Sequence, residues 1–171
     1  MLKPTYNLKS VCDIDRPFLN THNVRGIILD VDNTLTEHGS QEVPPVVTDW
    51  LASMKHLGIK LIILSNNTAT RAAPFAENNG LLFVASAKKP LPFGVNRAVK
   101  SLGLPKKQVL LSGDQIFTDM LGGNFAGLRT ALVTPFHLEN TPSFRFKRRI
   151  ERRLFGRDFS SLETKDIKPY D

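Results

Sequence analysis

Mainly apolar runs of four to six residues recur along the chain, and helical patterns separate them. Val24 to Leu29, Ile59 to Leu64, Leu81 to Val84, Gln108 to Leu111 and Thr130 to Val133 are rich in Val, Ile and Leu. Their length and lack of alternation predict strands buried on both faces. Pro44 to Met54 predicts a helix entered through proline. Ala69 to Asn78 predicts a second, closed by Gly80, and Phe93 to Leu102 a third, closed by Gly103. Ile116 to Phe125 predicts a fourth, with Gly122-Gly123 read as its terminator. Buried strands alternating with helices specify an α/β fold: a parallel sheet of about five strands covered by helices on both faces. Right-handed crossovers then bring every strand's carboxyl end to one edge. The first 20 residues read as a weak helix or an extended lead-in, Trp50 as packing against the sheet, and the stretch beyond Gly156 as irregular.

Composition narrows the class. The chain has 171 residues, 41% hydrophobic and 23% charged, which fits one globular domain over 1–171 with its core at about 24–135. Cys12 is the lone cysteine, so an intrachain disulfide is excluded and a reducing, cytoplasmic setting is expected. Met1 to Tyr6 lacks the apolar stretch of a secretory signal, and no segment reaches the ~20 apolar residues of a membrane span. Any membrane contact is therefore expected to be peripheral.

The net charge of +7 is concentrated. Between Phe144 and Arg157, seven basic residues (Arg145, Lys147, Arg148, Arg149, Arg152, Arg153 and Arg157) stand against Glu151 alone. Such a segment suits a polyanionic partner. Phe146, Ile150 and Leu154 recur every four positions, so the segment at about 143–157 reads as a basic amphipathic helix. It lies on an anionic membrane surface, or docks on the domain, or binds RNA.

Polar groups with complementary chemistry follow the predicted strands. Asp30 and Asp32 follow the first, and Ser65, Asn66 and Asn67 the second. Lys88, Lys89 and Pro90 lie just beyond the third; Gly113, Asp114 and then Asp119 follow the fourth. In an open α/β sheet this edge is where ligands bind. Acids for a metal, a hydroxyl and an amide for a phosphate, and a cation for its charge add up to phosphoryl-transfer chemistry. Taken singly, each motif is an ordinary turn or helix cap; their conjunction after four successive strands is not. His22, His38, His56 and His137 lack metal-ligand spacing, and no Walker or Gly-x-Gly-x-x-Gly loop is present.

Asp30-Val31-Asp32-Asn33-Thr34-Leu35, Ser65-Asn66-Asn67, Lys89-Pro90, and Gly113-Asp114-Gln115 with Thr118-Asp119 resemble, in order, the four motifs of the haloacid dehalogenase (HAD) superfamily. Within it the chain is similar to the YqeG-type group of subfamily IIIA, and through that group to mitochondrial phosphatidylglycerophosphate phosphatases. The resemblance implies a Rossmann-like HAD fold and Mg²⁺-dependent hydrolysis of a phosphomonoester. Asp30 would attack phosphorus to form an aspartyl-phosphate, and Asp32 would protonate the leaving alkoxide and then activate water. Ser65, Asn66 and the Asn33 and Thr34 region would bind the phosphoryl oxygens, and Lys89 would neutralise their charge. Asp30, Asp114 and the Asp32 backbone carbonyl would hold Mg²⁺, with Asp119 acting through a water.

Thr36 to Val43 is too short for a cap domain, and Thr68 to Ala87 is used up by one helix and one strand. An uncapped edge can reach a phosphate on a bulky object. The resemblance, the missing cap and the basic tail together point to phosphatidylglycerophosphate at a membrane surface. A soluble sugar or nucleotide phosphatase, and a HAD-fold RNA- or ribosome-binding protein, are the alternatives.

Overall fold

The computed structural model describes residues 3–135. The basic segment at about 143–157 lies outside the described residues. Strands β1 (Tyr6–Leu8), β2 (Gly26–Leu29), β3 (Lys60–Leu64), β4 (Leu82–Val84), β5 (Val109–Gly113) and β6 (Arg129–Val133) form one sheet in the order β1-β6-β5-β2-β3-β4. Every pairing is parallel. Among the described residues the sheet thus has six strands rather than about five. The additional one, β1, is three residues long, half-exposed and at an edge, so it carries no apolar run.

Helices α1 (Arg16–Thr21), α2 (Pro45–His56), α3 (Ala69–Asn78), α4 (Pro92–Leu102) and α5 (Leu121–Phe125) connect the strands. The side chain of Asp15 caps α1 by accepting from Phe18 N–H at 2.9 Å. Gly103 ends α4 in the left-handed conformation, φ 64°. From β2 the chain steps outward to β3 and β4, then returns through α4 to β5 on the other side of β2. Right-handed crossovers therefore put α2 and α3 on one face and α4 and α5 on the other. The packing agrees. Ile27, Leu29, Leu61, Ile63, Leu110 and Ala131 join one buried cluster with Trp50, Leu51, Met54 and Phe75 of α2 and α3. Trp50 lies within it, its Nε1–H donating to Ile14 O at 2.9 Å. On the opposite face a Cβ on Gly123 of α5 would stand 2.4 Å from Thr130 and 3.6 Å from Leu111.

The stretch Ile116 to Phe125 is not one regular helix. A π-helical turn, Ile116–Met120, precedes α5. Gly122 and Gly123 do not terminate it either; they are buried inside α5. Gly122 rests on the Pro90 backbone and Gly123 on Thr130, so both act as close-packing residues, and the chain turns at Gly127, φ 75°.

The reversal of direction at β2 and β5 is a topological switch point, where such sheets open a ligand crevice. Neither connection beside it carries a cap: residues 30–44 form a loop, and β3 joins β4 through α3 alone. Among the described residues no helix is long and apolar enough to cross a membrane.

Candidate active site

Asp30 follows β2 directly, and the register Leu29↔Ser112 sets it beside the end of β5. Its N–H continues the ladder by donating to Ser112 O at 3.0 Å. Asp114 follows β5 and is fully buried. Asp119 enters from the π-helical turn, a local widening that is frequent at functional sites. Gly113 makes room for it, since a Cβ there would lie 2.4 Å from Asp119 Cγ. Carboxylate oxygens of Asp30, Asp114 and Asp119 come within 4.8 Å of one another, and all three residues are buried.

Lys89 supplies the countercharge. Its Nζ lies 2.7 Å from Asp30 Oδ1 and 2.6 Å from Asp119 Oδ1, with its side chain 4% exposed. Burial alone would lower the ammonium's pKa, but Asp119 and Asp30 outweigh it and hold Lys89 above the usual lysine value, fully charged. Burial pushes the Asp30 carboxyl up to about 7, against the pull of Lys89; Asp119 and Asp32 add to the upward push. Lys88, the neighbouring cation, is exposed and sits at φ 55°.

The loop carrying Lys89 is laced to the loop after β3. Ser86 N–H donates to Asn67 O at 2.8 Å, and Ala87 N–H to Ser65 O at 3.0 Å. Asn66 then grips the Lys89 backbone from both sides: its Oδ1 accepts from Lys89 N–H at 2.7 Å and its Nδ2 donates to Lys89 O at 3.1 Å. The Lys89–Pro90 peptide bond is cis. From the other side α4 presses through Gly94, where a Cβ would be 2.4 Å from Ala87 O. Asn66 is thus turned to the lysine rather than presented to a phosphate. Nothing in the sequence distinguished it from a helix cap.

Asp32 stands apart from the acidic cluster. Its Oδ1 accepts from Gly39 N–H at 2.8 Å and its Oδ2 from Asn67 Nδ2 at 3.1 Å. His38 Nδ1 is 3.8 Å from Oδ1. Gly39 and Asn67 are positioning groups that sequence reasoning missed; for Asn67 the one available signal was its adjacency to Ser65 at a strand end. Ser65 Oγ accepts from Asn67 N–H at 3.1 Å, which leaves its own proton for a further acceptor. Thr34 Oγ1 is buried and has no hydrogen-bond partner among the described residues. Asn33 is buried at φ 58°. The Thr34 N–H is taken up inside the turn, donating to Val31 O at 3.2 Å.

Two separated acids, one of them in a buried carboxylate cluster salt-bridged to a lysine, form an arrangement suited to phosphoryl transfer. Comparison with known proteins agrees. Residues 1–135 match the family model described as mitochondrial PGP phosphatase. The chain is 40% identical over 153 residues to "Probable phosphatase YqeG" of Bacillus subtilis (strain 168), covering 90% of this chain and 89% of that protein. It is 25% identical over 178 residues to "Phosphatidylglycerophosphate phosphatase 1, chloroplastic/mitochondrial" of Arabidopsis thaliana; this covers 98% of this chain but only 50% of that protein. Among solved structures, 4-nitrophenylphosphatase from Thermotoga maritima shares the fold, with TM-score 0.57 at 14% identity, covering 71% of this chain and 89% of that one. The chain belongs to the mitochondrial PGP phosphatase family and is a phosphatase of the YqeG type with a HAD fold.

Proposed function

We propose that the protein is a Mg²⁺-dependent phosphomonoester hydrolase that works through an aspartyl-phosphate on Asp30 and converts phosphatidylglycerophosphate to phosphatidylglycerol. The observation that carries this reading is the division of labour between the two aspartates. Asp30 is buried against Lys89 at 2.7 Å, while Asp32 is held outside the cluster by Gly39 and Asn67.

The donor set fits the ion. Three buried carboxylates with oxygens within 4.8 Å offer hard oxygen ligands only, the preference of Mg²⁺. Asp30, Asp114 and the Asp32 carbonyl would hold it. Asp119 stands further back, because its Oδ1 and Oδ2 already accept from Lys89 and from Gln115 N–H. When bound, Mg²⁺ supplies positive charge that screens the phosphoryl oxygens and keeps Asp30 ionised.

Asp30 attacks phosphorus as the bond to the leaving oxygen breaks, and Asp32 gives that oxygen its proton. Asp32, now a base, takes a proton from the water that attacks the aspartyl-phosphate, which frees Asp30 and releases phosphate. Lys89 balances the transferring charge and fixes Asp30. Ser65 O–H and Thr34 O–H donate to phosphoryl oxygens, and being preorganised they need not reorient during the reaction.

Support for the lipid comes from the family's description, from the names of the relatives and from the open edge above the site. The test is phosphate release from phosphatidylglycerophosphate in mixed micelles, from sugar phosphates and from nucleotides, each with Mg²⁺ and with EDTA. The reading expects the lipid to have the highest kcat/KM and EDTA to abolish release. A preference for a sugar phosphate or nucleotide would refute the lipid assignment, and activity unaffected by EDTA would refute the metal.

A further inference from the structure

We propose that Arg71 forms an anion subsite for the leaving group, so that the preferred substrate is a phosphomonoester whose alcohol carries a second anionic phosphate. The proposal rests on the phosphatase reading of Asp30 and Asp32 given above. Proton transfer requires the leaving oxygen to lie within hydrogen-bond reach of Asp32, so the leaving group extends into the cleft beside that residue. Gly39, Ser65, Asn67 and Arg71 line this cleft together with Asp32.

Arg71 enters it from the first turn of α3, and its Nη2 lies 3.7 Å from the position a Cβ on Gly39 would occupy. The guanidinium therefore stands beside the residue whose N–H holds Asp32 Oδ1 at 2.8 Å. Among the described residues the Arg71 side chain makes no hydrogen bond and no ion pair; only its backbone N–H is engaged, donating to Thr68 O at 3.1 Å. The Asp32 carboxylate accepts instead from Gly39 N–H and Asn67 Nδ2.

A planar cation with five donors, lining the cleft beside Asp32, is suited to bidentate capture of a phosphate. The same chemistry recognises the phosphodiester of a lipid headgroup or the second phosphate of a small soluble polyol. The captured group stays intact, since the only P–O bond that breaks is that of the monoester at Asp30.

The test compares wild type, R71A and R71K on glycerol 3-phosphate, deacylated glycerophosphoglycerophosphate, and short-chain phosphatidylglycerophosphate in micelles. R71A is expected to lose about 10- to 100-fold in kcat/KM on an anion-bearing substrate, with glycerol 3-phosphate changed less than about twofold and R71K retaining part of the effect. A loss on both anion-bearing substrates assigns the subsite to the headgroup, and a loss on the soluble one alone to free phosphates. An equal loss on all three, or none, overturns the proposal. Calorimetric binding of glycerophosphoglycerol reads the subsite without turnover. R71A is expected to bind it about tenfold more weakly or worse, and equal affinity, or no binding by wild type, overturns the proposal. Arg71-dependent binding by a protein that hydrolyses none of the substrates would sink the proposed function while leaving the subsite standing.

Discussion

Replacing Lys89 by Met keeps the aliphatic stem and removes the cation that, among the described residues, faces both Asp30 and Asp119. At 2.7 and 2.6 Å, each contact carries on the order of 6 kcal/mol of Coulomb energy at an effective dielectric of 20. Desolvation of the three charges offsets much of that. Breaking a buried pair from one side costs about 3–5 kcal/mol, and two carboxylates are stranded here, so the upper half of that range is expected at pH 8. For a domain of this size that lowers Tm by about 10–20 °C. The loss must depend on pH. Burial already raises the Asp30 carboxyl, and without the cation the opposing pull of Lys89 is lost, so its folded-state pKa lies well above its unfolded one. Such groups leave stability intact below the unfolded value, near 4, and remove it as pH rises through the folded one. The deficit of the variant against wild type should therefore be smaller at pH 4.5 than at pH 8. Thermal and urea melts by circular dichroism in EDTA would measure it. A variant within about 1 kcal/mol of wild type at pH 8, or a deficit equal at both pH values, would refute the electrostatic role of Lys89.

Further consequences follow from the same geometry. With its carboxyl pushed up to about 7, Asp30 should make the metal-free protein lose stability as pH climbs from 4 to 7. Asp30→Asn should flatten that slope by about 1.4 kcal/mol per pH unit at most, read by melts across pH. Gly94→Ala should be severe, because the new methyl would meet backbone, Ala87 O at 2.4 Å, and push the loop that carries Lys89. A loss of about 1–3 kcal/mol in urea melts, with kcat falling more than KM rises, is expected. Asn66→Ala should release the Lys89 backbone and lower kcat about 10-fold or more while leaving α3 folded, checked by turnover alongside circular dichroism.

The motifs legible in the sequence are those tied to an apolar strand. Asp30, Ser65 and Asp114 each follow a buried run, so reading the strand also located the residue. Where a position depends on tertiary packing the sequence was silent. Strand β1 is too short and too exposed to show a period. Gly122 and Gly123 read as a helix end because glycine usually marks one, yet here they let α5 approach Pro90 and β6. Asn66 and Asn67 read as helix caps, and Asn66 also as a phosphate ligand. Only the folding of one loop onto another gives them Lys89 and Asp32 as partners. The choice between Lys88 and Lys89 was likewise invisible in sequence, where two adjacent lysines are chemically equal; in the structure one is buried on Asp30 and the other exposed.

Whether Asp30 is the nucleophile can be read by trapping the acyl phosphate. Borohydride quenching of the enzyme during turnover reduces an acyl phosphate to homoserine, and peptide mapping by mass spectrometry locates it. Homoserine is expected at position 30, with aspartate retained at 32, 114 and 119. Homoserine at any of those three, or none at all during sustained phosphate release, would contradict Asp30 as the nucleophile.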